Sequence, residues 1–257
     1  MFGLITMPLV PVRVDADHRS EMISQLLFGE YAAVITQTDH WIQISSEKDK
    51  ISGWVDKKML TIINESTLKE MMTSVSFPLY RPYNIIYNIR KNQTMLIPGG
   101  SIIYAPDGDD FKIGKEKWSL IDPVEKPELP CPVHRLLEIA NQYINSPFLL
   151  GGKSILGLDC SGFVQLIFGI SGYALPRFVA DQVETGITVD FITEAVSGDL
   201  AFFQDENGVL EHVGILIDNN KIIHVSGCVK IDMIDSQGII GVDGEYTHSL
   251  RVIKRII

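Results

Sequence analysis

The sequence predicts an α+β protein in which two small β-rich modules precede a larger domain that places helices ahead of an antiparallel sheet. Three observations predict it. Short apolar runs separated by polar or glycine turns fill the chain as far as Leu120. Pro123, Pro127, Pro130 and Pro132 then stiffen the stretch from Ile121 to Pro132. From Val133 the periodicity becomes helical, and strand-like runs return only near the C-terminal end.

In chain order, Val10–Val14, Tyr31–Ile35, Trp41–Ile44 and Gly53–Val55 read as the strands of a first barrel over residues 1–62. Ser20–Gln25 reads as a loop or distorted strand packed on it, and Trp41 and Trp54 as barrel core. A helix over Thr67–Met72 bridges to a second barrel, residues 63–120. Its strands are Ile85–Tyr87, Thr94–Ile97, Ser101–Tyr104 and Phe111–Ile113, with turn chemistry at Pro98-Gly99-Gly100 and Asp107–Asp110. After the connector at 121–132, the domain 133–257 opens with a helix over Val133–Tyr143, whose Val133, Leu136, Leu137 and Ala140 share one stripe. A second helix spans Asp159–Phe168, and strands follow at Asp199–Phe203, His212–Ile217 and Ile222–Val225.

Bulk properties exclude several functions. A net charge of −10 argues against a nucleic-acid partner, which requires a positive face for phosphates. Nowhere do about eighteen apolar residues run together, so no membrane span or membrane partner is expected. Met1–Pro11 carries neither a basic flank nor a small-residue cleavage site, and the three cysteines are widely spaced and odd in number. The expectation is a cytoplasmic protein in a reducing compartment, acting as a monomer.

Chemistry is concentrated in the last domain. Cys160 follows Asp159 and precedes the apolar positions of a helix, which puts its sulfur near unpaired N–H groups and the positive end of the helix dipole. That position favours a thiolate, and the same N–H groups could hold an oxyanion. The segment alone serves packing and catalysis equally well, because a cysteine is also a small buried hydrophobe. A nucleophile needs a base and a group to orient it. Of six histidines, His212 and His224 stand within strongly apolar strands that flank Asp218–Lys221. A regular two-residue turn at Asn219-Asn220 would pair His224 with Ile215 and turn the two histidines to opposite faces. Joint action therefore requires an odd loop or a bulge. With that irregularity, His212 is the base for Cys160 and His224 holds its imidazole.

The order Pro147-Phe148, Gly151-Gly152, Asp159-Cys160-Ser161-Gly162-Phe163, Leu175-Pro176-Arg177, Gln182, Gly198-Asp199-Leu200, His212-Val213-Gly214-Ile215 and Ile223-His224 resembles the NlpC-type cell-wall peptidases, a papain-like family. The resemblance implies a Cys160, His212, His224 triad, with the Cys160 N–H as an oxyanion donor and no cofactor. It also implies cleavage of the γ-D-glutamyl bond to a diamino acid in peptidoglycan stem peptides, with Asp159 and Ser161 lining the substrate cleft. Ser20–Glu30 and Gly53-Trp54-Val55 resemble the bacterial SH3-like domains attached to a cytoplasmic branch of the family. In that branch the first barrel blocks the far end of the cleft, so that peptides with a free N-terminal L-Ala are processed and murein peptides recycled. Glu21 is the candidate partner for the substrate amine, although a solvated surface glutamate explains it equally well.

This sequence departs from the family at the recognition residues. Phe148-Leu149-Leu150-Gly151-Gly152 stands where Tyr-x-Trp-Gly-Gly is usual, Phe178-Val179 replaces a polar pair, and Ile51 replaces an aromatic. Phe148, Leu150 and Phe178 accordingly enter the set of substrate-binding candidates as apolar walls. Two alternatives stand beside the peptidase: a catalytically weak muropeptide-binding protein, and an acyltransferase or amidase of the same fold. Cys131-Pro132-Val133-His134 lacks the second ligand pair of a zinc site, so no metal is expected. Cys228 is read as packing, and His18, His40 and His248 as surface residues.

Overall fold

A computed structural model describes residues 1–46, 49–124 and 126–257. Residues 47 and 48, in the first expected barrel, and residue 125, in the expected connector, lie outside the described residues. The chain divides into two compact units, Met1–Glu128 with Lys153–Ile155, and Leu129–Gly152 with Leu156–Ile257.

The first unit is built from two antiparallel sheets. One has seven strands: β1 (Phe2–Leu4), β2 (Leu9–Arg13), β3 (Met22–Leu27), β4 (Tyr31–Gln37), β5 (Trp41–Ser46), β6 (Ile51–Asp56) and β7 (Thr61–Ile63), in the order β3-β2-β6-β5-β4-β1-β7. Of the loop or distorted strand expected at Ser20–Gln25, the structure shows the strand: β3 takes in Met22–Gln25 and pairs along β2 with a register shift at Val12/Arg13. Period-2 alternation turns Ile42, Ile44 and Val55 inward. Trp41 and Trp54 are consequently half-buried on the opposite face rather than in the core, Trp41 against the His18 ring with centroids 4.8 Å apart.

Helix α1 (Glu65–Thr73), capped by the Asn64 side chain, leads to the second sheet. Its strands are β8 (Ser76–Pro78), β9 (Tyr83–Asn88), β10 (Gln93–Pro98), β11 (Ile102–Asp107), β12 (Asp110–Ile113) and β13 (Glu116–Leu120), in the order β10-β9-β13-β12-β11-β8. Phe28 of the first sheet region stands edge-on to Phe111 and Trp118, and with Leu4 and Ile63 it joins the buried core of the second sheet. This unit takes in Lys153, whose Nζ lies 3.0 Å from Glu30 Oε1 and whose N–H donates to Gln25 Oε1 at 2.8 Å.

The second unit carries helices α2 (Val133–Asn141), α3 (Cys160–Ile170) and α4 (Val179–Gln182). The short strands β14 (Lys153–Ser154) and β15 (Gly157–Leu158) precede α3 in sequence. Seven strands form its sheet: β16 (Ile187–Val189), β17 (Leu200–Gln204), β18 (Leu210–Asp218), β19 (Lys221–Ser226), β20 (Cys228–Ile234), β21 (Gly238–Ile240) and β22 (Tyr246–Arg255). The order is β16-β22-β17-β18-β19-β20-β21, and a further β21–β22 pairing closes it. From Ser161 to Ile170 every residue of α3 except Gly169 is buried, as expected of a helix that is apolar all round. It packs on β18 and β19 and beside α2, and each large side chain it buries contributes about 1.5–3 kcal/mol. Among the described residues no helix is long and apolar enough to cross a membrane.

Candidate active site

The site starts from the capping of α3. Asp159 has extended backbone and its Oδ1 accepts the Gly162 N–H at 2.7 Å, which fixes where the helix begins and makes Cys160 its first residue. Asp159 Oδ2 also accepts the Gly151 N–H at 2.8 Å. Arg177, 0% exposed, closes on the same carboxylate from both amino groups, Nη1 to Oδ1 at 2.9 Å and Nη2 to Oδ2 at 2.5 Å, and Nη1 donates to Ser161 Oγ at 2.9 Å. Gly162 is needed by close approach, because a Cβ there would collide with the Gly152 carbonyl. Gln182 braces the same turn, its Nε2 donating to Ser161 O at 3.0 Å and Pro176 O at 2.9 Å. Asp159 and Ser161, expected along the cleft, are thus buried, with their polar atoms engaged inside the protein.

The Cys160 side chain projects from this capped turn against β18. Pairing between β18 and β19 runs from Asp218 to Gly214 and leaves residues 211–213 without a β19 partner. There the thiol donates to the Glu211 carbonyl at 3.8 Å and meets the Val213 N–H, on either side of His212. The expected thiolate is not favoured. Burial, followed by the charge of Asp159, pushes the thiol up to about 11, outweighing the Val213 and Ser161 N–H groups and Arg177. Cys160 at rest is therefore a neutral thiol.

The irregularity required of the hairpin is present. Asp218 pairs with Lys221 across Asn219-Asn220, yet Leu216 pairs with Ile222, so Ile217 is an extra residue on β18. The shift places His224 opposite Gly214 and on the face of His212. His212 Nε2 lies 2.9 Å from His224 Nδ1. A side chain at Gly214 would meet His224 Cβ at 2.8 Å, so this position too requires glycine by close approach.

Two groups to which the sequence assigns no role stand beside these imidazoles. Asp232 Oδ2 lies 3.0 Å from His224 Nε2 and 2.8 Å from Lys230 Nζ. His248, expected at the surface, is half-buried with its ring 4.3 Å from that of His212, which also lies beside Phe203. Neither has a motif of its own: Asp232 reaches His224 through the register of the β19–β20 hairpin, and β22 brings in His248 by returning to pair with β17. The one local signal is polar Lys230 and Asp232 alternating with apolar residues. Burial lowers His224 to about 4 against the opposing pull of Asp232, and burial followed by the neighbouring His248 and His224 holds His212 well below its ordinary value. Both imidazoles are neutral near pH 7.

Four of the apolar replacements, Phe148, Leu150, Phe178 and Val179, lie on either side of Cys160 in sequence. Phe148 is 49% and Leu150 57% exposed, and Phe148 bridges to Leu158, two residues before the nucleophile. Phe178 and Val179 are half-buried, Phe178 5.8 Å from the Arg177 guanidinium. In the first unit Glu21 is exposed, its carbonyl accepting the Val14 N–H, and Ile51 is buried. Cys228 pairs with Ser226 at the start of β20. Cys131 is buried and His134 exposed, and no cluster of metal-binding side chains occurs among the described residues.

The chain is similar in sequence and fold to known proteins. The sequence profile of the NlpC/P60 family matches residues 145–242, and that of the bacterial dipeptidyl-peptidase SH3 domain matches residues 12–60. A γ-D-glutamyl-L-lysine dipeptidyl-peptidase of Bacillus subtilis (strain 168) is 27% identical over 216 residues, covering 78% of this chain and 71% of that protein. A protein of the same description from Bacillus cereus (strain ATCC 10987) is 24% identical, over 80% of this chain and 67% of its own length. In fold, the crystal structure of an NlpC/P60 family protein from Bacillus cereus ATCC 10987 superposes with a TM-score of 0.81 at 18% identity, covering 100% of this chain and 99% of that one. Residues 145–242 form an NlpC/P60 domain and residues 12–60 a bacterial dipeptidyl-peptidase SH3 domain, and the chain that carries them is a cysteine peptidase.

Proposed function

We propose that this chain hydrolyses the γ-D-glutamyl bond to a diamino acid in peptidoglycan stem peptides, with Cys160 as nucleophile, His212 as base and His224 as its orienting partner. The observation that carries the reading is the 2.9 Å contact between His212 and His224 beside the strand edge against which the Cys160 thiol rests. The description of the two Bacillus relatives supports the choice of bond.

Since both partners are neutral at rest, the proton leaves the thiol as sulfur attacks the scissile carbonyl, and His212 receives it. Carbon–sulfur bond formation drives electrons onto the carbonyl oxygen. The Cys160 N–H, in the first turn of α3 where no intrahelical acceptor exists, is the oxyanion donor in this reading. Collapse breaks the C–N bond, His212 returns the proton to the leaving amine, and water hydrolyses the thioester with His212 again as base. Release of an L-Ala-γ-D-Glu dipeptide from peptides with a free N-terminus, as in recycling within the cell, is the finer form of this proposal. Glu21 is then the candidate for the amine, and the second sheet is read as a second SH3-like module on the strength of its six short antiparallel strands.

Incubation with L-Ala-γ-D-Glu-L-Lys and with its diaminopimelate counterpart, following dipeptide release, tests the reading. Cleavage abolished by Cys160→Ala is expected, and intact peptides with the wild type overturn it. A second reading, transfer or hydrolysis of a more apolar acyl group, draws on the exposure of Phe148 and Leu150 in the segment that precedes Cys160. It predicts labelling of Cys160 by an acyl donor where both peptides stay intact.

A further inference from the structure

Strand β20 reverses the usual alternation. Its apolar Ile231 and Met233 are 41% and 46% exposed, while Lys230 and Asp232 occupy the face shared with His224. The register sets this out: Lys230 is opposite His224, and Asp232 is opposite Ile222, diagonal to His224 on the same face. Exposing two apolar side chains in order to present two charged ones breaks the pattern that stabilises a strand, which is where a functional demand is to be sought.

The hydrogen-bond inventory gives that demand a form. An ionised carboxylate only accepts, so the contact between Asp232 Oδ2 and His224 Nε2 at 3.0 Å places a proton on that nitrogen. Burial opposes ionisation of Asp232, but hydrogen bonds from Lys230 and His224 outweigh it and lower its carboxyl. His224, neutral, has one ring proton, so its Nδ1 is bare and must accept from His212 Nε2. The remaining nitrogen of neutral His212 is then a bare Nδ1, the one atom of the line able to take a proton from a thiol. Had His224 carried its proton on Nδ1, His212 Nε2 would have to accept it, and the basic nitrogen would be spent.

We propose that Asp232 is a positioning residue which, by accepting the Nε2 proton of His224, fixes the tautomers of both imidazoles so that His212 presents Nδ1 as the base. The inference rests on the reading of Cys160 and His212 as nucleophile and base. Lys230 holds the Asp232 carboxylate in its charged form, and His248 packs against His212 without entering the line.

Two-bond proton–nitrogen spectra of the imidazoles in the 15N-labelled full chain read the tautomers without any substrate. Nε2–H forms of both His212 and His224 are expected in the wild type. Asp232→Ala is expected to shift His224 to a mixture of tautomers and to lower kcat on the tripeptide by about tenfold or more, with KM changed by less than about twofold. Should that variant fail to fold, the isosteric Asp232→Asn is expected to shift the His224 Nε2 resonance and lower kcat severalfold. Unchanged tautomers and kcat in a folded Asp232 variant overturn the proposal, as does an Nδ1–H form of His224 in the wild type. A wild type with the expected tautomers that leaves the peptides intact discards the substrate and keeps the role of Asp232.

Discussion

Asp159 and Asp232 are two carboxylates of one domain, each tied to a cation and each close to the catalytic line, yet their surroundings differ. Asp159 is 7% exposed and receives two backbone N–H groups and both amino groups of a fully buried arginine. Its bonds are closed, and they fix the start of α3 and with it the place of Cys160. Asp232 is less enclosed, and it bonds a histidine that titrates rather than a fixed cation alone. The first carboxylate sets position and the second sets proton placement. A buried charge with all its partners rigid serves the fold, whereas one bonded to an imidazole also decides where a proton resides.

That contrast can be broken at several points. Cys160→Ala should lower peptide hydrolysis by ~10³-fold or more while leaving thermal stability nearly unchanged, since it removes the atom that attacks in the proposed reaction. Arg177→Met should do the reverse: it strands the Asp159 carboxylate and should cost about 3–5 kcal/mol in urea unfolding. An Arg177→Met protein as stable as the wild type would show that Asp159 is not the positional anchor described.

Acidification tests the histidine side. The folded value of His224 is about 4 against an ordinary 6.5, so between those pH values the unfolded chain binds a proton that the folded chain refuses. Its contribution is complete above pH 6.5 and is lost as pH falls towards 4, roughly 3 kcal/mol in all, with His212 acting in the same direction. Denaturant unfolding at a series of pH values should show this slope, and His224→Gln should flatten it. Over the same samples, alkylation of Cys160 should rise towards the alkaline end without a plateau near neutrality, because its thiol is raised to about 11. Gly214→Ala should cost about 1–3 kcal/mol by crowding His224, and should reduce kcat more than KM. Smallest of all, Lys230→Gln removes an ion pair whose lysine is one-third exposed, and a change of less than about 1 kcal/mol is expected by the same unfolding assay.

Much of this site is legible in the sequence because its parts are local. The apolar helical run after Asp159 puts Cys160 near a helix start, and the structure refines this by making Asp159, expected as the first helical residue, the cap. The two histidines can be linked to one site only through an odd loop or a bulge, a requirement that follows from the two-residue period of a strand, and Ile217 supplies the bulge. The size of Trp41 and Trp54 argues for the core, but their phase decides otherwise: the alternation that buries Ile42 and Ile44 turns them outward. His248 and Asp232 carry no signal strong enough to connect them with His212 and His224, since each arrives on a different strand after β19. The thiolate expected from the helix dipole fails for a related reason, because a dipole is a property of the helix whereas burial is a property of everything packed around it.

Residue type and spacing therefore singled out Cys160, His212 and His224 as the candidate site, put Cys160 near a helix start and set the need for an irregular hairpin. These follow from capping and side-chain period, which depend on neighbours in the chain. Only the tertiary structure decided the protonation of Cys160, the closed bonding of Asp159 by Arg177, and the approach of Asp232 and His248 to the imidazoles. The first two depend on desolvation and on side chains packed from other segments, the approach of His248 on the β17–β22 pairing, and the approach of Asp232 on the register of the β19–β20 hairpin, to none of which a local pattern is bound.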